Sequence, residues 1–238
     1  MAASVPNIRQ LFDEESSTYS YLLADDDRKV GLLIDPVANK LNDYLELLDE
    51  LNLTLLSGID SHCHADHVTA LGALREATGC ETLVGVPSLA ACASGFFEDG
   101  DFIPFGEYKL RCIYTPGHTD DSYCFFLDGP QPSVFSGDTL LINGTGRTDF
   151  QNGSAKDLYN SLFNHVLLLP QHTTVYPGHD YNGRVQSTIG QEIDKNPRLQ
   201  VKSWQELDVI MKSLNLANPK LMDIAIPANQ NCGKLFLS

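Results

Sequence analysis

The sequence predicts a mixed α/β fold, in which helices cover the outer faces of two stacked mixed β-sheets. Strand-like segments precede helix-like segments in two comparable halves of the 238-residue chain, and layers of this kind bury the apolar face of each element. Polar clusters also follow strand-like runs, which is typical of a site at a sheet edge. Because no repeat or clear linker interrupts the chain, we predict one domain over residues 1–238, with residues 185–238 as a C-terminal helical extension.

The first half begins with a predicted hairpin. Residues 17–23 alternate weakly between polar and apolar side chains, residues 30–34 are mostly apolar, and the acidic segment 24–28 between them is turn-like. Residues 39–51 carry apolar side chains at helical spacing, which predicts a helix. The other elements of this half are a strand, a helix that ends at Gly79 and a short strand, predicted over residues 53–59, 68–78 and 82–86.

The second half contains more strands. Three strands separated by Gly, Pro and Asp residues are predicted over residues 108–114, 122–127 and 134–136. A helix over residues 154–169 has Ser154 as its N-cap and Pro170 just beyond its end. The pattern then predicts a strand and two helices, over residues 173–176, 186–194 and 204–214.

The net charge of −15 limits the partners of this protein. Nucleic-acid binding depends on Lys and Arg side chains that neutralise phosphates, and an anionic membrane surface is equally unfavourable for an acidic chain. We therefore expect no nucleic acid and no membrane as a partner, and no run of about 18 apolar residues predicts a transmembrane helix. An anionic small substrate would need local basic residues that act against the overall field.

Six cysteines are scattered along the chain without a CxxC pair: Cys63, Cys80, Cys92, Cys112, Cys124 and Cys232. In a chain of this size, that distribution favours reduced, mostly buried thiols in a reducing compartment. The N-terminus lacks the apolar segment of a secretory signal. We expect a cytoplasmic protein, or a mitochondrial matrix protein whose transit peptide has been removed.

The segment His62-Cys63-His64-Ala65-Asp66-His67 places three imidazoles and one carboxylate within six residues, directly after a predicted strand. Neutral imidazole and carboxylate are the usual protein ligands of zinc and iron. Polar groups that are buried together without partners destabilise a fold, and a bound metal ion would offset that loss. In an extended segment, His62 and His64 share one face and Cys63 points to the other.

Three further polar clusters follow strand-like runs, and in each of them a glycine precedes the candidate ligand. The candidates are His118 after Gly117, Asp138 after Gly137 and His179 after Gly178. Glycine permits the sharp turn that directs the next side chain into a site at a sheet edge. The residues alone therefore predict a metal site, and they leave open which metal binds and which reaction follows.

In type, order and spread, these four clusters resemble the metal-binding pattern of the metallo-β-lactamase family, which implies an αββα sandwich with the site at one edge of two mixed β-sheets. Within that family, residues 144–151 (Gly-Thr-Gly-Arg-Thr-Asp-Phe-Gln) resemble the signature of the persulfide dioxygenases. Related glyoxalase II hydrolases carry aromatic residues where this chain has Thr148 and Asp149, whereas many dioxygenases have a cysteine where it has Thr145. The segments 9–12, 16–19, 179–183 and 222–229 also resemble the dioxygenases.

The resemblance implies one Fe(II) per chain, held by His62, His118 and Asp138. Such a set of two histidines and one carboxylate leaves coordination positions open on non-haem iron. The implied reaction oxidises the terminal sulfur of glutathione persulfide with O2 and water, and it yields sulfite and glutathione.

The remaining residues of the clusters have a different implied role. In hydrolase relatives, Asp66, His67 and His179 hold a second ion, while His64 joins the first. Here we expect Asp66, His67 and His179 to act in catalysis as outer donors that orient ligands and water. Nothing in the bare sequence forbids a second ion.

Glutathione carries two carboxylates, which a chain of net charge −15 must bind through specific cations. In the implied fold Arg147 and Arg184 lie near the site, and arginine can form paired hydrogen bonds with a carboxylate. Tyr181 is a further candidate, as a hydroxyl donor. Two alternatives stay open, namely that Arg147 pairs with an acidic neighbour to brace its loop and that Asp149 caps a turn. A homodimer is suggested by the resemblance alone.

Two other functions compete with the dioxygenase. A hydrolase of the glyoxalase II type would use two metal ions to cleave a glutathione thioester, and the pair Thr148-Asp149 weighs against it. A non-catalytic metal-binding protein of the same fold is the second alternative. The complete set of candidate ligands argues against it, because relatives without activity usually lose ligands first.

Overall fold

Two six-stranded β-sheets, with helices packed on them, form the framework of the protein. The structure is a computed structural model that describes residues 5–214, 216–219 and 221–234. The strands are β1 (Asn7–Asp13), β2 (Thr18–Asp25), β3 (Val30–Ile34), β4 (Thr54–Ile59), β5 (Glu81–Gly85), β6 (Gly95–Phe97), β7 (Phe102–Phe105), β8 (Tyr108–Tyr114), β9 (Tyr123–Leu127), β10 (Ser133–Gly137), β11 (Thr174–Pro177) and β12 (Ser187–Thr188). The helices are α1 (Leu41–Glu50), α2 (Leu71–Thr78), α3 (Ala155–Asn164), α4 (Ile189–Lys195), α5 (Trp204–Ser213) and α6 (Met222–Asn229).

The first sheet has the strand order β1-β2-β3-β4-β5-β6. Strands β1 to β3 pair antiparallel and β3 to β6 pair in parallel, so the hairpin predicted over residues 17–34 is confirmed. In the core of this part, Leu22 packs with Tyr44 and Leu48 of α1 and with Leu74 of α2. Both helices therefore bury their apolar faces on this sheet.

The second sheet has the strand order β12-β11-β10-β9-β8-β7. Strands β10 and β11 pair in parallel, whereas β8 with β9, β9 with β10 and β11 with β12 pair antiparallel. Its core joins Val134 of β10 and Val175 of β11 to Leu158 of α3 and Leu207 of α5. The fold class predicted from the sequence, two mixed sheets flanked by helices, is confirmed.

Contacts within the chain divide it into two compact units. The first contains the residues up to 97, residues 102–109 and the chain from residue 218 onward, and the second contains residues 98–101 and 110–217. Helices α4 and α5 belong to the second unit, and α6 belongs to the first. The expectation of one domain with an extension over residues 185–238 stays a prediction.

Most predicted elements are present, but several end at other residues. Helix α2 begins at Leu71 rather than at residue 68, and it ends as predicted at Gly79, whose φ of 77° lies in the left-handed region. Helix α3 follows its predicted N-cap Ser154, which accepts a hydrogen bond from a first-turn amide, but it stops at Asn164. A separate 3-10 turn follows α3 where the sequence pattern predicted more helix.

Five elements have no counterpart in the sequence prediction: β1, β6, β7, β12 and α6. The four strands are short or half-exposed, so their side-chain alternation is weak. Helix α6 contains Pro227 and has no amphipathic stripe, which hides it from an argument based on periodicity. Among the helices in the described ranges, none is long and apolar enough to cross a membrane.

Cys92 and Cys232 form a disulfide bond, with their Cα atoms 5.9 Å apart. The expectation of reduced thiols is therefore wrong for these two cysteines. They are 140 residues apart in the chain, and without a CxxC motif the sequence carries no signal of their pairing. The other four cysteines lie outside this disulfide and are thiols, as predicted: Cys63, Cys80, Cys112 and Cys124.

Candidate metal centre

The histidine loop, residues 60–69, joins β4 to α2. Strand β4 pairs in parallel with β3 and β5, and the carboxyl ends of parallel strands are where polar groups converge on a ligand. His62, His64 and His67 are all buried. The ring centroids of His62 and His64 are 4.1 Å apart, which confirms that these two side chains lie together.

A chain of hydrogen bonds orients His62. Asp35, directly after β3, accepts from the Ser61 amide at 2.6 Å and from the Ser61 hydroxyl at 2.9 Å. Because the hydroxyl gives its single proton to Asp35, it acts as the acceptor for His62 Nδ1, which lies 2.9 Å away. His62 Nε2 is then the ring nitrogen with a lone pair, as a metal ligand requires. Sequence reasoning missed Asp35 and Ser61, although a carboxylate at the end of a predicted strand was a usable signal.

His64 is fully buried and lies against the same carboxylate. Its Nε2 is 3.2 Å from Asp35 Oδ1, and its Nδ1 has no hydrogen-bond partner among the described residues. Burial by itself lowers the pKa of His64, but the Asp35 carboxylate, together with Asp66 and Asp60, raises that pKa to about 9. The surroundings of His64 thus favour a positive charge, which a proton or a metal ion supplies.

Asp66 and His67 form a second group in the histidine loop. Asp66 Oδ2 lies 2.8 Å from His67 Nδ1 and accepts a hydrogen bond from the Thr18 hydroxyl at 3.0 Å. One ligand atom each from His64, Asp66 and His67 lies within 4.8 Å of the others. This group has the donors that a second ion would need.

The glycine loop, residues 137–147, begins at the last residue of β10 and carries Asp138. The Gly146 amide donates to the Asp138 carbonyl oxygen at 2.6 Å, which closes the loop on itself. A Cβ on Gly146 would lie 2.6 Å from His118 Nδ1, and real Cβ atoms do not approach so closely. Only glycine therefore allows the backbone of this loop to lie against the His118 ring.

His118 and Asp138 are brought together within the second unit. His118 Nδ1 donates to the Arg147 carbonyl oxygen at 2.8 Å, so its Nε2 carries the lone pair. That Nε2 lies 3.5 Å from Asp138 Oδ2. Two ligands of one ion, each bonded at about 2.0–2.2 Å, are typically separated by ~3–3.5 Å. The donor types and this spacing fit a transition metal.

His179, the third ligand candidate of the second unit, holds the other oxygen of the same carboxylate. Its Nδ1 donates to Asp138 Oδ1 at 2.6 Å. Asp138 therefore presents Oδ2 to His118 and Oδ1 to His179, which fixes the plane of the carboxylate. The ring of Tyr181 stacks on that of His179, with 6.1 Å between centroids and 10° between planes.

The two candidate arginines are already paired with aspartates. Arg147 donates from Nε and Nη2 to the two oxygens of Asp149, both at 2.6 Å. These hydrogen bonds raise the pKa of Arg147 and lower that of Asp149. Arg184 pairs with Asp180 at 2.9 Å. Arg147 thus pairs with an acidic neighbour, Asp149, which is the contact that the alternative of a braced loop requires.

The chain is similar to known proteins over most of its length. A family model described as "Metallo-beta-lactamase superfamily" matches residues 13–179. The mitochondrial persulfide dioxygenase ETHE1 of Mus musculus is 43% identical over 227 residues, which cover 95% of this chain and 88% of that protein. A crystal structure of ETHE1 from Myxococcus xanthus has a TM-score of 0.92 and 48% identity, covering 96% of this chain and 100% of its own. A crystal structure of TTHA1623 in a di-iron-bound form has a TM-score of 0.66 and 27% identity, covering 79% and 98% respectively.

Proposed function

The chain belongs to the metallo-β-lactamase superfamily and, within it, to the family of the persulfide dioxygenases, and on this premise we propose that it oxidises glutathione persulfide. In the proposed reaction, O2 and water convert the terminal sulfur to sulfite and release glutathione. The observation that carries this conclusion is the identity of 43% to a persulfide dioxygenase over 95% of the chain.

We propose that His62, His118 and Asp138 hold one Fe(II). Two histidines and one carboxylate form the ligand set typical of non-haem iron oxygenases. The hydrogen bonds at Nδ1 of both histidines leave Nε2 available to a metal, which supports this assignment. When bound, iron supplies the one-electron steps that reaction with O2 requires, which redox-inert zinc does not.

Three residues keep a positioning role beside the proposed ligands. His179 holds Asp138 Oδ1, so that Oδ2 remains for the metal. We propose that Asp66 and His67, which contact each other through Oδ2 and Nδ1, orient water and the persulfide. The alternative is a second ion held by Asp66, His67 and His179, with His64 joining the first ion, and metal analysis distinguishes the two.

We propose Tyr181, Arg147 and Arg184 as the residues that bind the glutathione part of the substrate. Tyr181 is largely exposed, and both arginines carry the charge that a carboxylate needs. Because each arginine is paired with an aspartate, a substrate carboxylate must compete with Asp149 or Asp180. At Arg147 it must also compete with two backbone carbonyl oxygens that accept from the same guanidinium group. Binding through these arginines therefore predicts that their aspartate partners influence KM.

Location and oligomeric state are proposals of the same kind. We propose a protein of the cytoplasm or the mitochondrial matrix, in keeping with the mitochondrial relative, that forms a homodimer. A disulfide such as Cys92–Cys232 is uncommon in a reducing compartment. Its redox state in cell extracts quenched with acid therefore tests the proposed location.

One experiment separates the dioxygenase from its rivals. The protein is purified without oxygen, its metal content is measured, and O2 uptake and sulfite are followed with glutathione persulfide as substrate. We expect one iron per chain and one sulfite for each O2 consumed. Hydrolysis of a glutathione thioester without O2 uptake would instead favour the dinuclear hydrolase, and metal binding with neither activity would favour the non-catalytic alternative.

A further inference from the structure

Helix α6 contacts the histidine loop through the buried side chain of Asn229, and its Ile226 carbonyl oxygen also accepts from the Cys63 thiol at 3.8 Å. Its amide nitrogen donates to the carbonyl oxygens of His64 and His67 at 2.8 and 2.9 Å. Its side-chain oxygen accepts from the Thr69 amide at 2.8 Å. The side chain thus uses both of its protons and its oxygen on the backbone of one loop. A single planar group therefore fixes three backbone positions, at residues 64, 67 and 69, in the loop that carries His62.

The residues that follow Asn229 fit closely against the same region. The Gly72 amide donates to the Cys232 carbonyl oxygen at 3.0 Å, and a Cβ on Gly72 would lie 2.5 Å from that oxygen. Gly233 has a φ of 83°, and a Cβ there would collide with the Thr69 carbonyl oxygen. Glycine at both positions allows the C-terminal segment to lie directly on the backbone around the histidine loop.

The Cys92–Cys232 disulfide anchors this segment covalently. Cys232 lies three residues after Asn229, and Cys92 belongs to the connection between β5 and β6 in the same unit. Asn229 can hold the histidine loop only while the end of α6 stays in place. The disulfide is the covalent link that keeps it there.

We propose that Asn229 is a positioning residue for the metal centre and that the Cys92–Cys232 disulfide keeps Asn229 in place. This inference rests on the proposed function only in that the histidine loop supplies a metal ligand. Without Asn229, two buried carbonyl groups and one amide lose their partner, and such groups rearrange to recover hydrogen bonds. The loop then no longer holds His62, Asp66 and His67 in one geometry. Reduction of the disulfide loosens the same contact without removing it.

The first test compares Asn229→Ala and Asn229→Asp with Gln230→Ala, which changes an exposed neighbour. Asn229→Asp keeps the acceptor for Thr69 but loses both donors and places a negative charge beside two carbonyl oxygens. We expect a chelator to remove the bound metal about tenfold faster from both Asn229 variants, as for other lost outer-shell partners. Amide exchange over residues 62–72 is expected to accelerate in the metal-free variants, while Gln230→Ala changes neither quantity.

Steady-state constants expressed per bound iron show whether Asn229 positions the metal centre or only stabilises the fold. For Asn229→Ala we expect kcat per iron to fall about tenfold while KM for the persulfide changes by less than about twofold. A purely structural role lowers only the folded fraction and leaves both constants per iron unchanged, and that result overturns the inference. Unchanged metal release and unchanged amide exchange overturn it as well.

The disulfide is tested with the wild-type protein in the presence and absence of a reductant. We expect reduction to accelerate metal release by less than Asn229→Ala does. Cys92→Ser should match the reduced wild type and show no further response to the reductant. If reduction changes neither metal release nor amide exchange, the role of the disulfide is refuted. A wild type without dioxygenase activity would refute the proposed function alone, because metal release and amide exchange require no turnover.

Discussion

The histidine loop and the glycine loop hold their candidate ligands by different means. In the histidine loop, side chains from distant parts of the chain do so: Asp35 orients the ligands and Asn229 holds the backbone. The glycine loop makes more use of its backbone, since the Gly146 amide donates to the Asp138 carbonyl oxygen and the Arg147 carbonyl oxygen accepts from His118. The Asp138 carboxylate itself is held by the His179 side chain. A loop held by distant side chains is sensitive to the substitution of any one of them. A loop whose backbone lies against a ligand is sensitive to the replacement of glycine by a residue with a Cβ.

The largest expected effect belongs to Asp138, which the glycine loop presents to two histidines. Asp138→Ala removes the carboxylate that lies 3.5 Å from His118 and 2.6 Å from His179. We expect iron and activity to be lost together, each by more than about 100-fold, because even outer-shell losses reach this size. Metal analysis and O2 uptake measure both, with the exposed Asp128→Ala as control. Full iron content in Asp138→Ala would disprove the ligand assignment.

Glycine-to-alanine substitutions in the glycine loop test whether the close approach of its backbone to His118 matters. A Cβ on Gly146 would lie 2.6 Å from His118 Nδ1, whereas one on Gly144 meets nothing closer than 3.9 Å. Gly146→Ala should lower metal affinity by about 10–100-fold and the free energy of unfolding by about 1–3 kcal/mol. Gly144→Ala, the matched control in the same loop, should change both quantities little. Chelator competition and urea denaturation provide the measurements, and equal effects at the two glycines would contradict the role of close approach.

Arg147 and Asp149 test whether the end of the glycine loop binds substrate. If Arg147 anchors a substrate carboxylate, Arg147→Ala raises KM by about tenfold, as the loss of one charged hydrogen bond does, and lowers kcat less. Asp149→Asn then keeps the anchor and changes KM less. If the pair only braces the loop, Asp149→Asn has no further effect in the Arg147→Ala background, which a double-mutant cycle on steady-state constants reveals. Arg147→Ala alone then has the larger effect, because Arg147 also donates to the carbonyl oxygens of Leu216 and Ala217.

The smallest effect concerns pH and the histidine loop. In the metal-free protein the pKa of His64 is raised from 6.5 to about 9, so its protonated form stabilises the fold fully below pH 6.5. That contribution is lost as the pH rises through 9. We expect the free energy of unfolding of the metal-free protein to fall over this range. The matched variant His64→Gln should lack that part of the slope, and identical slopes in urea titrations would count against the charged His64.

Much of the candidate site could be predicted from the sequence, because ligand chemistry and strand ends are local properties. Imidazoles and a carboxylate directly after a strand identified the histidine loop, and glycine before His118, Asp138 and His179 indicated turns at sheet edges. In the structure, the candidates within each unit lie close together. The roles of the individual site residues stay predictions.

Other features had no local signal. Helix α6 has no periodic stripe, and its Asn229 acts only because it reaches a loop about 160 residues earlier in the chain. In the sequence nothing distinguishes Cys92 and Cys232 from the other four cysteines, and only the distance of 5.9 Å between their Cα atoms identifies them as a pair. The sequence left open whether Arg147 pairs with an acidic neighbour, and only the side-chain distances establish its pairing with Asp149.

By itself the sequence determined the class of the protein, since the types, order and local setting of the ligands are written along the chain. Only the tertiary structure decided how those ligands are held. Asp35 determines which nitrogen of His62 is available, the Arg147 carbonyl does the same for His118, and Asn229 ties the histidine loop to the C-terminal helix. These are contacts of hydrogen-bonding length between residues far apart in the chain. Periodicity and composition describe neighbours along the chain, so they carry no information about such approaches.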